Sequence, residues 1–202
     1  MTSRQDAILQ ASAAAIAENG VRGLRVSDIA RVAGVSSGLL YYHFKDRDGL
    51  LAAALTYIND QARAYRQAAS GSGVSRGQLI EHILGEIQDS AAVVENSLVW
   101  NELRACAVYE EPIRGPLART SEEWTRETTA AIRATQDIGE VSETVDAERT
   151  ASVLNALTEG LVSRWLSHEL TAAEARAHLR ATAEMMLPSG SHGPKRTARA
   201  SK

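Results

Sequence analysis

The side chains best suited to chemistry lie between Gly34 and Phe44, which read GVSSGLLYYHF. Two adjacent tyrosines and a histidine sit here in a chain that has only five Tyr, three Trp and one Phe. Hydroxyl and imidazole groups donate to phosphate oxygens, a leucine can meet a thymine methyl, and a glycine lets backbone approach base edges closely. On a helix turning about 100° per residue, setting Leu40 at zero places Phe44 at about 40°, on the same buried edge. Gly38, Tyr42 and Leu39 then fall near 160°, 200° and 260°, with Tyr41 and His43 on the flanks. One edge therefore holds the helix, and the opposite edge is free to read DNA. Ser36, Ser37, Gly38, Leu39, Tyr41, Tyr42 and His43 form that edge, and Lys45 and Arg47 extend it with donors.

A second constellation comes later. Asn96, Trp100 and Arg104 share one helical stripe, Asn101 lies beside it, Tyr109 follows, and Trp124 belongs to the next helix. Aromatic walls with a few convergent polar groups suit a small-molecule pocket. The alternative is a core helix whose Arg104 pairs with Glu102 or Glu159. His43, His82, His168, His178 and His192 have no metal-ligand spacing, and HExxH, GxGxxG, GxSxG and CxxC patterns are missing, so neither a metal nor a cofactor is expected. The single cysteine, Cys106, excludes an intrachain disulfide and reads as a small buried apolar residue.

Helices must position these groups. Ile8, Leu9, Ala13, Ile16 and Ala17 keep a 3.6-residue period that stops at Asn19-Gly20, which predicts a first helix over 4–19. Ser27 reads as the cap of a second helix that buries Ile29, Ala30 and Ala33. Gly34 makes a turn, Ser36 caps the third helix, and Asp46 caps a longer one that runs to about Ala69. ASGSGVSRG, from Ala69 to Gly77, is a loop. Helices follow at about 78–94, 96–109, 113–136, 147–168 and 172–187, the last opening on a capping box at Thr171-Ala172-Ala173-Glu174. No stretch alternates with period two, so the fold class is all-α. Two short helices joined at a glycine, with a third packed across them, make a helix-turn-helix unit. Gly49, in the first turn of helix four, reads as a cost of up to ~1 kcal/mol relative to alanine.

Charge is uneven. Residues 1–50 carry six basic against five acidic residues, residues 51–188 twelve against twenty, and residues 189–202 four against none. The acidic body would repel DNA, so any contact must come from a local positive surface. Residues 189–202 read as a disordered basic tail. Without a long apolar run or paired cysteines, the chain is expected in the cytoplasm.

The stretch DIARVAGVSSGLLYYHFKDRDGLL, Asp28 to Leu51, preceded by VRGLRVS, resembles the signature of the TetR family of transcriptional regulators. SLVWNELRACA from Ser97 and EGLVSRWL from Glu159 resemble the branch that includes the betaine-synthesis regulator. The resemblance implies a helix-turn-helix domain over 1–48, a ligand-binding and dimerisation domain over 49–188, and a homodimeric repressor released from a palindromic operator by a small molecule. It makes Leu40 and Phe44 buried positions. It turns Ser37, Gly38, Leu39, Tyr41, Tyr42 and His43 toward DNA, and gives Ser27 and Lys45 to phosphates. Apolar stripes at Leu154, Leu157, Leu161 and Trp165, and at Leu179 and Met186, are then expected in a four-helix dimer seam, although either stripe suits a plain core. Other readings are a DNA-binding module controlled by a protein partner or by no effector, and an all-α enzyme with a DNA-binding head.

Overall fold

The computed structural model describes residues 3–71 and 73–190. It forms nine α-helices among those residues and no strand beyond an isolated bridge between Val141 and Ser189. Helix α1 (Arg4–Asn19) starts from a reciprocal box in which Ser3 Oγ accepts from Asp6 N and Asp6 accepts from Ser3 N. Helix α2 (Val26–Val32) begins one residue before Ser27, which corrects the expected cap. The Arg25 carbonyl already accepts from Asp28 and Ile29 at 3.0 and 3.2 Å, and Ser27 lies exposed inside the first turn. Gly34, at φ +66°, turns the chain into α3 (Ser37–Phe44), where Ser36 Oγ accepts from Leu39 N at 3.1 Å.

Helix α4 (Arg47–Ser70) follows with Asp46 as cap. Here Gly49 proves to be a requirement rather than a cost. A Cβ on it would lie 2.1 Å from the Phe44 carbonyl oxygen, so a glycine is what lets α3 and α4 meet in so tight a corner.

The sequence reading placed a single helix over 78–94. The chain instead forms α5 (Arg76–Leu84), breaks, and starts α6 (Ala91–Ala107) at the Ser90 cap. The break sits at Gly85, where α4 passes so close that a Cβ would meet the Arg66 Cα at 3.1 Å. Helix α7 (Glu111–Asp137) has Pro112 in its first turn, α8 (Ala147–Leu166) is capped by Asp146, and α9 (Ala172–Met186) opens on the expected Thr171–Glu174 box. Ser189 and Gly190, expected in the tail, are held against Val141 and Glu140; residues 191–202 lie outside the described residues.

Three apolar clusters organise the packing. Ile8, Ile29, Leu40, Phe44 and Leu50 fill the head. Ile16 and Val21 meet Leu55, Ile58, Val99 and Leu103 in a second cluster, which joins α1 to α4, α6 and α7. The third unites α5, α8 and α9 around Leu84, Leu154, Trp165 and Leu179. No helix among the described residues is long and apolar enough to cross a membrane.

Gly49→Ala tests the α3–α4 corner. Helix propensity alone would raise stability by up to ~1 kcal/mol, whereas the clash with Phe44 should lower it by about 1–3 kcal/mol, as overpacking does. Urea unfolding followed by circular dichroism gives the sign.

Candidate functional site

Helix α3 presents the division its sequence suggested. Leu40 is fully buried and Phe44 nearly so, whereas Tyr42 is 81% exposed and Tyr41 47%. The His43 ring stands edge-on to Tyr42 at 5.4 Å, and Ser36, Ser37, Gly38 and Lys45 are exposed as well. Leu39, expected on the open face, is half-buried. Arg47 does not join this edge: its guanidinium donates to Glu110 and to the Val21 carbonyl, both at 3.1 Å. Arg25 and Ser27 are exposed at the start of α2, and Arg25 is a donor that sequence reading passed over.

Arg47 belongs instead to a seam between head and body. The Val21 amide donates to Glu102 on α6 at 3.2 Å, while the Val21 carbonyl accepts from Arg47 on α4. Glu102 also fills the space beside Gly20. The turn after α1 is thus gripped by the two helices that run back into the body.

Those same two helices wall a cavity of about 330 Å³, closed by α7 and α8. Asn96, Trp100, Asn101, Arg104 and Trp124 line it, as expected, but Tyr109 does not. Tyr109 is 79% exposed at the far end of α6, in a surface groove with Arg22 and Glu102. The α4 wall, comprising Ile58, Asn59, Ala62, Tyr65 and Arg66, was missed in the sequence, as were Glu86 and Glu159 as cavity groups. The signal was available: Ile58, Ala62, Tyr65 and Arg66 continue the apolar stripe of α4 at helical spacing.

Two Arg–Glu–Trp triads face this space. In one, the buried Arg66 guanidinium lies 5.7 Å from the Trp124 ring centre, pairs with Glu86, and reaches Glu127 at 3.0 Å. Glu86 also accepts from the Tyr65 hydroxyl at 2.8 Å, and that hydroxyl accepts from Asn96 at 3.1 Å. In the other triad, Arg104 lies 5.4 Å from the Trp100 ring centre, pairs with Glu159, and reaches Ser121 at 3.1 Å. Trp100 Nε1 donates to Glu159 at 3.3 Å. The two indoles meet edge to face at 6.4 Å. Glu159, not Glu102, is therefore the partner of Arg104.

Burial sets the protonation. It raises the Glu159 carboxyl against the opposing charge of Arg104. Burial, then the Glu86 carboxylate, pushes the Tyr65 hydroxyl far up, so it stays a donor. His82, beside Arg66 and Glu86, is lowered by burial and then by the Arg66 charge. Among the described residues no group of three or more His, Cys, Asp or Glu is placed to hold a metal ion.

The expected dimer residues need correction. Leu154, Leu161, Trp165 and Leu179 are at most 8% exposed within one chain, where they build the α5–α8–α9 core, and so have nothing left to bury against a second copy. Leu157 and Met186 remain half-buried. The exposed residues are Val153, Ala156 and Gly160 on α8, of which Ala156 and Gly160 also line the cavity, and Ala177, Ala181 and Met185 on α9.

Comparison with known proteins agrees with this architecture. Residues 8–54 match bacterial regulatory proteins of the tetR family, and residues 78–188 match the C-terminal domain of the BetI-type transcriptional repressor. The HTH-type transcriptional regulator BetI of Serratia proteamaculans is 31% identical over 112 residues, which covers 53% of this chain and 56% of that protein. Its counterpart in Pseudomonas fluorescens is 38% identical over 69 residues, 32% of this chain and 35% of that protein. A crystal structure of a TetR-family transcriptional regulator from Rhodococcus sp. superposes with a TM-score of 0.89 at 56% identity, covering 93% of this chain and all of that one. A regulator from Saccharomonospora viridis, crystallised in complex with choline, gives 0.75 at 24% identity over 91% of this chain and 96% of that one, a likeness of fold.

Arg66 should be costly to remove. Arg66→Met keeps most of the volume but leaves Glu86 with no cation and Glu127 with Arg63 alone, and breaking a buried pair costs about 3–5 kcal/mol. Urea unfolding at pH 7 should give that loss. An unchanged midpoint would mean the charges are solvated.

Proposed function

The chain belongs to the TetR family of bacterial transcriptional regulators and carries a BetI-type C-terminal domain, and on that premise we propose that it is a homodimeric, cytoplasmic repressor released from a palindromic operator by a small molecule. The family is one of DNA-binding regulators and not of enzymes. Residues 1–48 would act as the DNA-binding head, and residues 49–188 as the effector and dimerisation domain.

One observation carries the effector part: the 330 Å³ cavity is walled by α4 and α6, the same helices that hold the Val21 turn of the head through Arg47 and Glu102. A molecule that moved either wall would move the head, and two recognition helices must stay ~34–36 Å apart to reach successive major grooves. An open cavity also weighs against control by a protein partner alone, since that role needs no internal space. The choline complex of the Saccharomonospora viridis relative makes a small amphiphile of that size a natural starting compound.

For the dimer, the outward face of α8 and α9 is favoured. The small residues Ala177 and Ala181 on α9, with Ala156 and Gly160 at the α8 rim of the cavity, would let two copies approach closely in a four-helix arrangement, with Val153, Leu157, Met185 and Met186 adding apolar area.

DNA sites selected from random sequence by the purified chain provide the operator for two tests. Tyr42→Ala should weaken binding to that operator while sedimentation still reports a dimer. Lys45→Ala should weaken binding to every sequence and reduce the slope of log affinity against log salt by about 0.9 per lost phosphate contact in each subunit. Normal operator binding by Tyr42→Ala would remove the outward edge of α3 from the interface.

A further inference from the structure

We propose that a second copy of the chain, seated on the outer face of α8 and α9, closes the mouth of the cavity and so forms part of the effector site. The proposal rests on the effector and dimer roles given to these elements above. Its starting point is where the cavity opens. On α4 and α7 the lining residues Ile58, Asn59, Arg66 and Trp124 are buried. Toward α6 and α8 the cover thins: Trp100, Arg104, Glu159 and Ser163 are half-buried, and of the described residues that line the cavity only Ala156 and Gly160 are exposed. The mouth therefore lies on α8, at two residues too small to cover it. A Cβ on Gly160 would meet nothing within 4 Å beyond its own turns of helix, so no other part of the chain stands over this point.

The mouth is continuous with a self-complementary surface. At about 100° per residue, Arg149, Val153, Ala156, Gly160 and Arg164 fall within about 80° of one another on α8, and all five are exposed. On α9 the exposed stripe is Glu174, Ala177, Ala181, Glu184 and Met185. Arginines thus flank the small middle of the first stripe, and glutamates that of the second. The basic residues of α9, Arg176 and Arg180, are turned away to Glu81, which leaves its outer face acidic. A two-fold axis pairs each patch of one copy with the matching patch of the other in both directions. The α8 stripe of each copy can then meet the α9 stripe of the other with opposite charges facing, which is why a second copy is the occupant this surface fits.

Closure by a copy changes how an effector acts. A molecule held inside one chain reaches the head only through α4 and α6. One that also touches the second copy bears directly on the angle between the two chains, and so on the spacing of their recognition helices. It also needs the seam to part before it can enter or leave.

The experiment needs no effector, because Trp100 stands at the thin side of the cavity while Trp124 and Trp165 are buried. Acrylamide quenching of tryptophan fluorescence is compared between the full chain and Ala181→Arg, a change at an exposed α9 residue that does not line the cavity. Ala177→Arg, one turn earlier, serves as a second variant. Sedimentation should show dimers for the parent chain and monomers for the variants, with circular dichroism unchanged. The dimer should shield its tryptophans from acrylamide, the monomers should lose that protection, and Trp100→Phe should remove the difference between dimer and monomer. Equal quenching of dimer and monomer, a difference that survives Trp100→Phe, a parent chain that is monomeric, or variants that still dimerise would each overturn the assignment. Operator release is read separately, by titrating choline into the operator complex. Protection without release would support the closure and count against the effector role, whereas release without protection would leave the repressor standing and overturn the closure.

Discussion

Helix α4 has to satisfy three environments along one rod of 24 residues, roughly 36 Å long at 1.5 Å per residue. Its first turn is locked against α3 by the Asp46 cap and the Gly49 contact with Phe44, and Leu50 points into the head. Its middle, from Leu51 to Ile58, packs in the cluster shared with α1, α6 and α7. Its last turns put Tyr65 and Arg66 into the cavity wall, where Arg66 is tied to Glu86 and Glu127. A stiff helix cannot shift at one of these places without the others adjusting, so the head and the cavity are mechanically one system.

Helix α6 is the second half of that system. Trp100 and Arg104 face the cavity, while Glu102, on another side of the same two turns, holds the Val21 amide. The energies are commensurate. Allosteric coupling runs to about 1–3 kcal/mol, and one hydrogen bond to a charged group is worth about 1.5–3 kcal/mol. In the proposed mechanism, weakening the single Glu102–Val21 bond would therefore suffice, and no large rearrangement of the body is needed. Linkage makes such coupling reciprocal: whatever factor the effector takes from operator affinity, the operator takes from effector affinity.

How much of this was legible in the sequence depended on the range of the physics involved. Caps and periodicity are local, so α1, α3, α4 and α9 begin where Ser3, Ser36, Asp46 and Thr171 put them or within a residue of the reading, and the two faces of α3 follow from the wheel. Gly49 was misread, and the break at Gly85 inside the expected 78–94 helix was missed, because their reasons lie elsewhere in the chain, in the Phe44 carbonyl and in the passing backbone of α4. An apolar stripe states that a face is buried but not against what. Leu154 and Leu179 therefore passed for a seam when they are core, while the small residues of the opposite face drew no notice. The cavity was half legible, since Trp100 and Arg104 announce themselves by type, whereas Arg66 is meaningful only once α4 is laid beside α7.

Stability alone does not account for the two triads. A buried ion pair is commonly matched or exceeded in stability by apolar residues of the same volume, and each orphan Nε–H adds a penalty of about 1–3 kcal/mol. A core selected for stability would fill this space with leucine and isoleucine, as the neighbouring clusters do around Leu84, Ile87 and Leu103. Instead the chain keeps about 330 Å³ open and surrounds it with charges whose partners come from different helices: Arg66 on α4, Glu86 after α5, Arg104 on α6, Glu127 on α7 and Glu159 on α8. Every one of those helices is thereby made to respond to the same small volume. On the proposed function, a site that gives up stability to place its charges in this way is arranged for an effector, which would be felt at once by α4 and α6, the two rods that reach the head.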